Sequence, residues 1–162
     1  MNRRLLIIVL MACLLPLGMQ AQQGTFRFAQ LTDIHLTPNN PNPTEDLLRS
    51  VAQINATDSI DFVLVTGDLT EEGDRTTMEK VKSCLDLLKV PYHVVLGNHE
   101  TKWSDSGCTA FGEIFGGERF EFEHKGFLFL GFNSGPLMRM AYGHVAVSYT
   151  HLRAHETCAD LV

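Results

Sequence analysis

Three short stretches carry side chains that can bind cations and move protons: Asp33-Ile34-His35, Gly67-Asp68, and Gly97-Asn98-His99-Glu100. Each follows an apolar run, and the run "VVL" stops abruptly on the last of them. Asp33 and His35 are two apart, so on extended chain both side chains point the same way and can grip one ion. Gly67 leaves room for a metal and substrate close to the backbone beside Asp68. The two oxygens of the Asp68 carboxylate can bridge two cations. Asn98 supplies a neutral oxygen ligand, and His99, its neighbour, is expected to face away from that direction, toward bound substrate. Mixed imidazole and carboxylate ligation suits zinc, manganese or iron better than magnesium or calcium alone. Two such ions polarise a phosphoryl group and turn a bridging water into hydroxide for in-line attack, so phosphate ester hydrolysis is the reaction that follows. The ions also cancel the repulsion between an acidic site and an anionic ester.

Taken singly, "DIH" and "TGDLT" also read as a capped turn and a common turn. Four special residues directly after a buried strand, as in "GNHE", are harder to explain that way. The weight comes from finding all three in order at the exits of successive strands.

The elements that must place these residues follow from periodicity. "TFRFAQLTDIH" puts Phe26 and Phe28 on one side and Ala29 and Leu31 on the other, predicting a largely buried strand that ends at Asp33. Asn42, Pro43 and Glu45 fit helix positions N-cap, N1 and N3. Leu47, Leu48, Val51 and Ile54 then supply an apolar stripe to about Asn55. "DFVLVTGD" predicts a second buried strand. A helix with core face Met78, Val81, Leu85 and Leu88 follows, with Thr76 and Glu79 as a capping box, and "YHVVL" gives a third strand. Alternation of strand and helix implies a parallel sheet, whose ligands gather beyond the carboxyl ends of the strands. After residue 103, "CTAFGEIF" predicts a short helix, and "RFEFEH", Lys125-Gly126, "FLFLGFN" an antiparallel hairpin with a two-residue turn. Its phenylalanines, Phe120, Phe122, Phe127, Phe129 and Phe132, read as core. His93 is expected to be packed, His124 exposed, and Asn133-Ser134 a plain turn.

Length and composition fit one globular domain: 162 residues, 44% hydrophobic and 20% charged. Residues 1–21 read as a secretory leader, with Arg3 and Arg4 before an acid-free apolar run from Leu5 to Leu17 and small residues Gly18 and Ala21 near the cut. The expected location is exported, periplasmic or extracellular. Lipid attachment at Cys13 and an uncleaved anchor are the weaker readings, and no stable membrane span is expected after cleavage. Cleavage leaves 11 basic against 19 acidic residues, a formal charge of −8, which argues against a nucleic-acid polymer or anionic membrane as partner. Export permits a Cys84 to Cys108 disulfide, and buried free thiols are the equal alternative.

"DIH", "GDLTEEG" and "GNHE" also resemble the first three signature blocks of the calcineurin-like metallophosphoesterases, over about residues 27 to 144. The spacing of "TGDLTEEG" is most similar to the branch resembling cyclic-nucleotide phosphodiesterases. The resemblance implies a metallophosphoesterase-type α/β sandwich with two divalent or trivalent metal ions at the sheet's carboxyl edge and a small phosphate ester as substrate. By the same resemblance Asp33 and His35 bind the first metal, Asp68 bridges and Asn98 binds the second. His99 protonates the leaving group or contacts phosphate, and Glu100 either orients His99 or is a solvated loop acid. Purple acid phosphatases would have tyrosine where Glu71 stands, so a tyrosinate-iron centre is not expected.

The pattern departs from that family downstream. Gly143-His144 is followed by Val145 and Ala146, and no second histidine completes the block. His151 and His155 read as part of a solvated tail, and Arg139 has no placement. "AVSYTHLRAHET" resembles a translated adapter. The expected organisation is therefore leader 1–21, the amino-terminal part of the family domain at 22–145, and a tail 146–162 outside the family. The second half of the sandwich is expected to be truncated, with one sheet face uncovered and a strand edge unpaired. The alternative function is a catalytically inactive fragment or binding module with a single weak metal site.

Overall fold

Alternating apolar residues bury both faces of a short parallel sheet, and each face meets a different partner. The computed structural model describes residues 24–104 and 106–135. The expected leader, Cys13, Arg139, His144, His151, His155, Cys158 and the tail lie outside the described residues. The element order is β1 (Phe28–Leu31), α1 (Asn42–Ala56), β2 (Phe62–Thr66), α2 (Arg75–Leu85), β3 (Tyr92–Val95), a turn of π-helix (His99–Trp103), α3 (Thr109–Phe115), β4 (Arg119–His124) and β5 (Phe127–Phe132). Strands β1, β2 and β3 lie side by side in that order, all parallel, with Leu31 opposite Val65 and Thr66 opposite Val95. The mixed α/β architecture expected from the alternation is the one observed.

On one face Ala29, Leu31, Val63, Val65 and Val94 join a core with Leu47 and Val51 of α1 and Met78, Val81 and Leu85 of α2. Each fully buried aliphatic side chain there contributes about 1.5–3 kcal/mol. The opposite face carries Phe28, Phe62 and His93, and the β4–β5 hairpin lies against it. Phe62 packs at 5.1 Å on Phe122 and 4.9 Å on Phe129, and His93 stacks on Phe122 at 3.8 Å. The expected uncovered face is thus covered by the hairpin. Among the described residues β1 and β3 each keep one unpaired edge.

Several local expectations shift. Strand β1 is four residues long, ends at Leu31 and is only half buried, because it lies at the sheet's edge with Phe28 41% exposed. Helix α1 begins at Asn42 with Pro41 in the cap position, while the Asn40 side chain accepts from Asn42 N–H at 3.0 Å and closes the turn beforehand. Leu48 is exposed, since it lies about 100° around the helix from Leu47. Helix α2 is capped by Asp74, whose Oδ1 accepts from Thr77 N–H at 2.9 Å; Thr77, not Thr76, turns inward, and Glu79 pairs with Arg75. The hairpin turn is Lys125-Gly126 with φ of 49° and 83°, the double left-handed step that a two-residue turn needs. His124 is half buried against Phe26 and Phe62, at 5.8 and 5.3 Å, rather than exposed. Phe127 is 38% exposed and so lies only partly in the core. Asn133 makes a local turn, accepting from Gly135 N–H at 2.7 Å.

Cys84 and Cys108 are free thiols. Cys84 is buried in the core, and burial pushes the Cys108 thiol up to about 11. Among the described residues no helix is long and apolar enough to cross a membrane.

Candidate metal centre

Beyond the ends of β1 and β2 the two chains continue side by side. Asp33 N–H donates to Gly67 O at 3.3 Å, His35 N–H to Asp68 O at 3.0 Å, Leu36 N–H to Leu69 O at 3.0 Å, and Glu71 N–H to Leu36 O at 2.9 Å. Leu36, Leu69 and Thr70 are buried beneath this ladder. The ladder is what fixes the side chains above it, and it does so with an unusual backbone. Asp33, His35 and Asp68 have φ of 52°, 48° and 48°. Such left-handed residues cost of order 1–3 kcal/mol each and persist only where their surroundings impose them. Asp33 and His35 therefore do not converge by lying on extended chain, as their spacing suggests; both take left-handed backbone, on either side of Ile34, and His35 Nε2 lies 3.9 Å from Asp33 Oδ1.

The glycines serve a close backbone approach. A Cβ on Gly67 would lie 2.8 Å from Gly97 Cα, so the missing side chain of Gly67 admits the β3 exit and not a ligand. A Cβ on Gly97 would lie 2.2 Å from Asp68 Oδ1 and 2.3 Å from Asp68 N. Gly97 is thus the residue that lets the Asp68 carboxylate settle against β3, where His99 N–H donates to its Oδ1 at 3.1 Å.

Two groups of ligand atoms result, each within 4.8 Å: Asp33, His35 and Asp68, and His35, Glu71 and His99. His35 belongs to both, and its ring meets that of His99 edge to face at 4.7 Å. Asn98 is exposed at the head of the π-turn and borders, with Glu71 and His99, an open hollow of about 780 Å³. Lys102 and Trp103 line the same hollow, with the Lys102 ammonium 4.6 Å from the indole.

Glu100 follows neither expected reading. It is fully buried, its Oε1 accepting from Thr70 N–H and Oγ1–H at 3.0 and 3.1 Å and its Oε2 from Gly97 N–H at 2.8 Å. It ties the β2 exit to the β3 exit, and the His99 imidazole bonds elsewhere, through Nδ1 to Glu71 O at 2.6 Å. Glu71 is the residue that sequence reasoning passed over. Its carboxylate also meets His35 Nδ1 at 2.9 Å. The only signal was position, three residues after Asp68.

The chemistry of these donors fits a cation. Glu71 offers acceptors to both Nδ1 atoms, so a neutral imidazole carries its proton there and presents a lone pair at Nε2. For His35 that lone pair faces the Asp33 carboxylate across 3.9 Å. Two acceptors so placed attract each other only through a shared positive charge or proton, and imidazole with carboxylates is the ligand set of zinc, manganese and iron.

The family described as calcineurin-like phosphoesterase matches residues 26–154. A Rhodopseudomonas palustris protein named "Probable cyclic nucleotide phosphodiesterase" is 33% identical over 97 residues, covering 56% of this chain and 33% of that protein. A Moraxella catarrhalis protein of the same name is 34% identical over 77 residues, 47% of this chain and 28% of that one. Human tartrate-resistant acid phosphatase type 5 is 29% identical over 120 residues, 67% of this chain and 37% of the phosphatase. The chain spans about a third of the length of these relatives.

Proposed function

The chain belongs to the calcineurin-like phosphoesterase family, and from that premise we propose that it hydrolyses small phosphate mono- or diesters, as an exported enzyme or the amino-terminal part of one. Asp33 and His35 would hold a first cation, Asp68 would bridge, and Asn98 would hold a second, the ions being manganese, iron or zinc. Bound there, they supply charge to polarise the phosphoryl group and to acidify a water. His99 would meet the substrate through Nε2, since its Nδ1–H is engaged by Glu71 O; the neutral ring accepts there, and only the imidazolium form would protonate the leaving group or donate a hydrogen bond to phosphate. Lys102 adds a positive charge on the rim, which favours approach of an anionic ester. The net charge of −6 disfavours a nucleic-acid polymer. Export rests on residues 1–21.

The observation that carries this reading is the convergence of Asp33, His35 and Asp68 from two successive strand exits to within 4.8 Å. Metal counting on the purified chain, with turnover of a chromogenic phosphodiester, tests it. Two retained ions and turnover that disappears in Asp68→Ala support the enzyme. One loosely held ion without turnover supports a binding module instead.

A further inference from the structure

We propose that Glu71 is a positioning residue that sets the tautomer of both site histidines, His35 through its side chain and His99 through its main chain. This inference rests on the metal-site reading of His35. Two contacts carry it. Glu71 Oε2 is 2.9 Å from His35 Nδ1, and Glu71 O is 2.6 Å from His99 Nδ1. A carbonyl can only accept, and so can an ionised carboxylate, so each contact puts the imidazole proton on Nδ1 and the lone pair on Nε2. A histidine whose far nitrogen donates to such an acceptor is held in the orientation and tautomer that a metal requires.

The residue that carries both acceptors is itself anchored. Glu71 N–H donates to Leu36 O at 2.9 Å, one residue beyond His35. Residue 71 therefore moves with the loop that bears His35, while its carbonyl reaches the π-turn that bears His99. The two rings meet perpendicularly at 4.7 Å, so a rotation of either would displace the other. One residue on the β2 exit thereby couples the β1 exit to the β3 exit at the level of side-chain protons.

The two contacts can be separated, because substitution removes the carboxylate and leaves the carbonyl. In metal-free chain at about pH 8, where imidazole is ordinarily neutral, nitrogen NMR shifts should report Nδ1–H for both histidines in the parent. In Glu71→Ala, His35 should become a mixture of tautomers while His99 keeps Nδ1–H. In Glu71→Gln the side-chain carbonyl still accepts, and His35 should return to the parent tautomer. Zinc titration followed by fluorescence of Trp103, the chain's single tryptophan with its ring 6.5 Å from that of His99, gives a second readout. Glu71→Ala should weaken zinc about 10–100-fold, and Glu71→Gln should recover most of that loss, with thermal melts unchanged. Unaltered His35 tautomers in Glu71→Ala would overturn the proposal, as would equal zinc losses in both variants, since charge and not orientation would then matter. A parent chain that binds no zinc removes the metal reading alone; the tautomer measurement still decides the role of Glu71.

Discussion

The two ends of the same three strands are built on opposite terms. At the amino ends rings close the structure: Phe62, 2% exposed, lies parallel to Phe28 at 5.5 Å and packs on Phe122 and Phe129. At the carboxyl ends acidic and imidazole groups gather on a left-handed backbone, with Asp33 and His35 partly open to solvent. Apolar burial stabilises the first end at about 25 cal/mol per Å². The second end gathers like charges and strained residues, which oppose folding. What joins them is rigidity. The strands held by rings and aliphatic core fix where their far ends emerge, and the ladder from Asp33 to Glu71 carries that order into the loops.

Glu100 is where this division can be broken most severely, because it belongs to the site end yet is buried like core. Glu100→Ala would leave the N–H groups of Thr70 and Gly97 without their acceptor, at roughly 1–3 kcal/mol for the buried Thr70 donor and less for the half-buried Gly97. The expected outcome is a large fall in denaturation midpoint together with loss of metal binding, since the exits bearing Asp68 and Asn98 are no longer tied. A variant that keeps its stability and loses only metal would show that the carboxyl ends contribute nothing to the fold.

Phe62→Ala attacks the other end. Removing a fully buried aromatic side chain costs about 3–5 kcal/mol, so the unfolding midpoint should drop by a comparable margin to the previous variant. Metal affinity, measured well below that midpoint, should remain that of the parent, because Phe62 is separated from Thr66 by the length of β2. Reduced affinity in the folded variant would mean that the hairpin, not only the ladder, positions the site.

The sequence made the scaffold readable and left the joints obscure, for a physical reason. Strand and helix periods depend on neighbours a few residues apart, so β1 to β3, α1 and α2 could be laid out from apolar spacing, and Lys125-Gly126 announced its turn. The alternation also implied the parallel sheet. Contacts between distant segments carry no such signature. Nothing in "TEEG" or "GNHE" says that Glu71 reaches His35 across 36 positions or that Glu100 reaches Thr70 across 30. The left-handed backbone at Asp33 and His35 was equally hidden, because it is imposed by the ladder to residues 67–70 and not by local preference. Caps moved by a residue or two where several of Asn40, Asn42, Asp74 and Thr76 were chemically able to serve. The covered sheet face was missed because hairpin packing depends on tertiary placement of rings that look the same in any strand.

The smallest expected effect concerns the ion pair that fastens the hairpin tip to the amino end of β2. Asp61 accepts from Lys125 Nζ at 2.8 Å and from Arg27 N–H at 2.9 Å, with His124 Nε2 at 3.2 Å from the same carboxylate. The Lys125 hydrogen bond, and after it the Arg27 N–H, hold the Asp61 carboxyl down at about 2 against an ordinary 3.8. A carboxyl that is more acidic when folded favours the folded state at every pH above its unfolded value, and that contribution fades as pH falls from 3.8 toward 2. Asp61→Asn should therefore lower the melting temperature slightly at neutral pH, and the gap between variant and parent should close across that acid interval. Melts taken at successive pH values check both parts. A gap that stays constant down to pH 2 would assign the loss to packing of the amide, and the amino end would then be held by its rings alone.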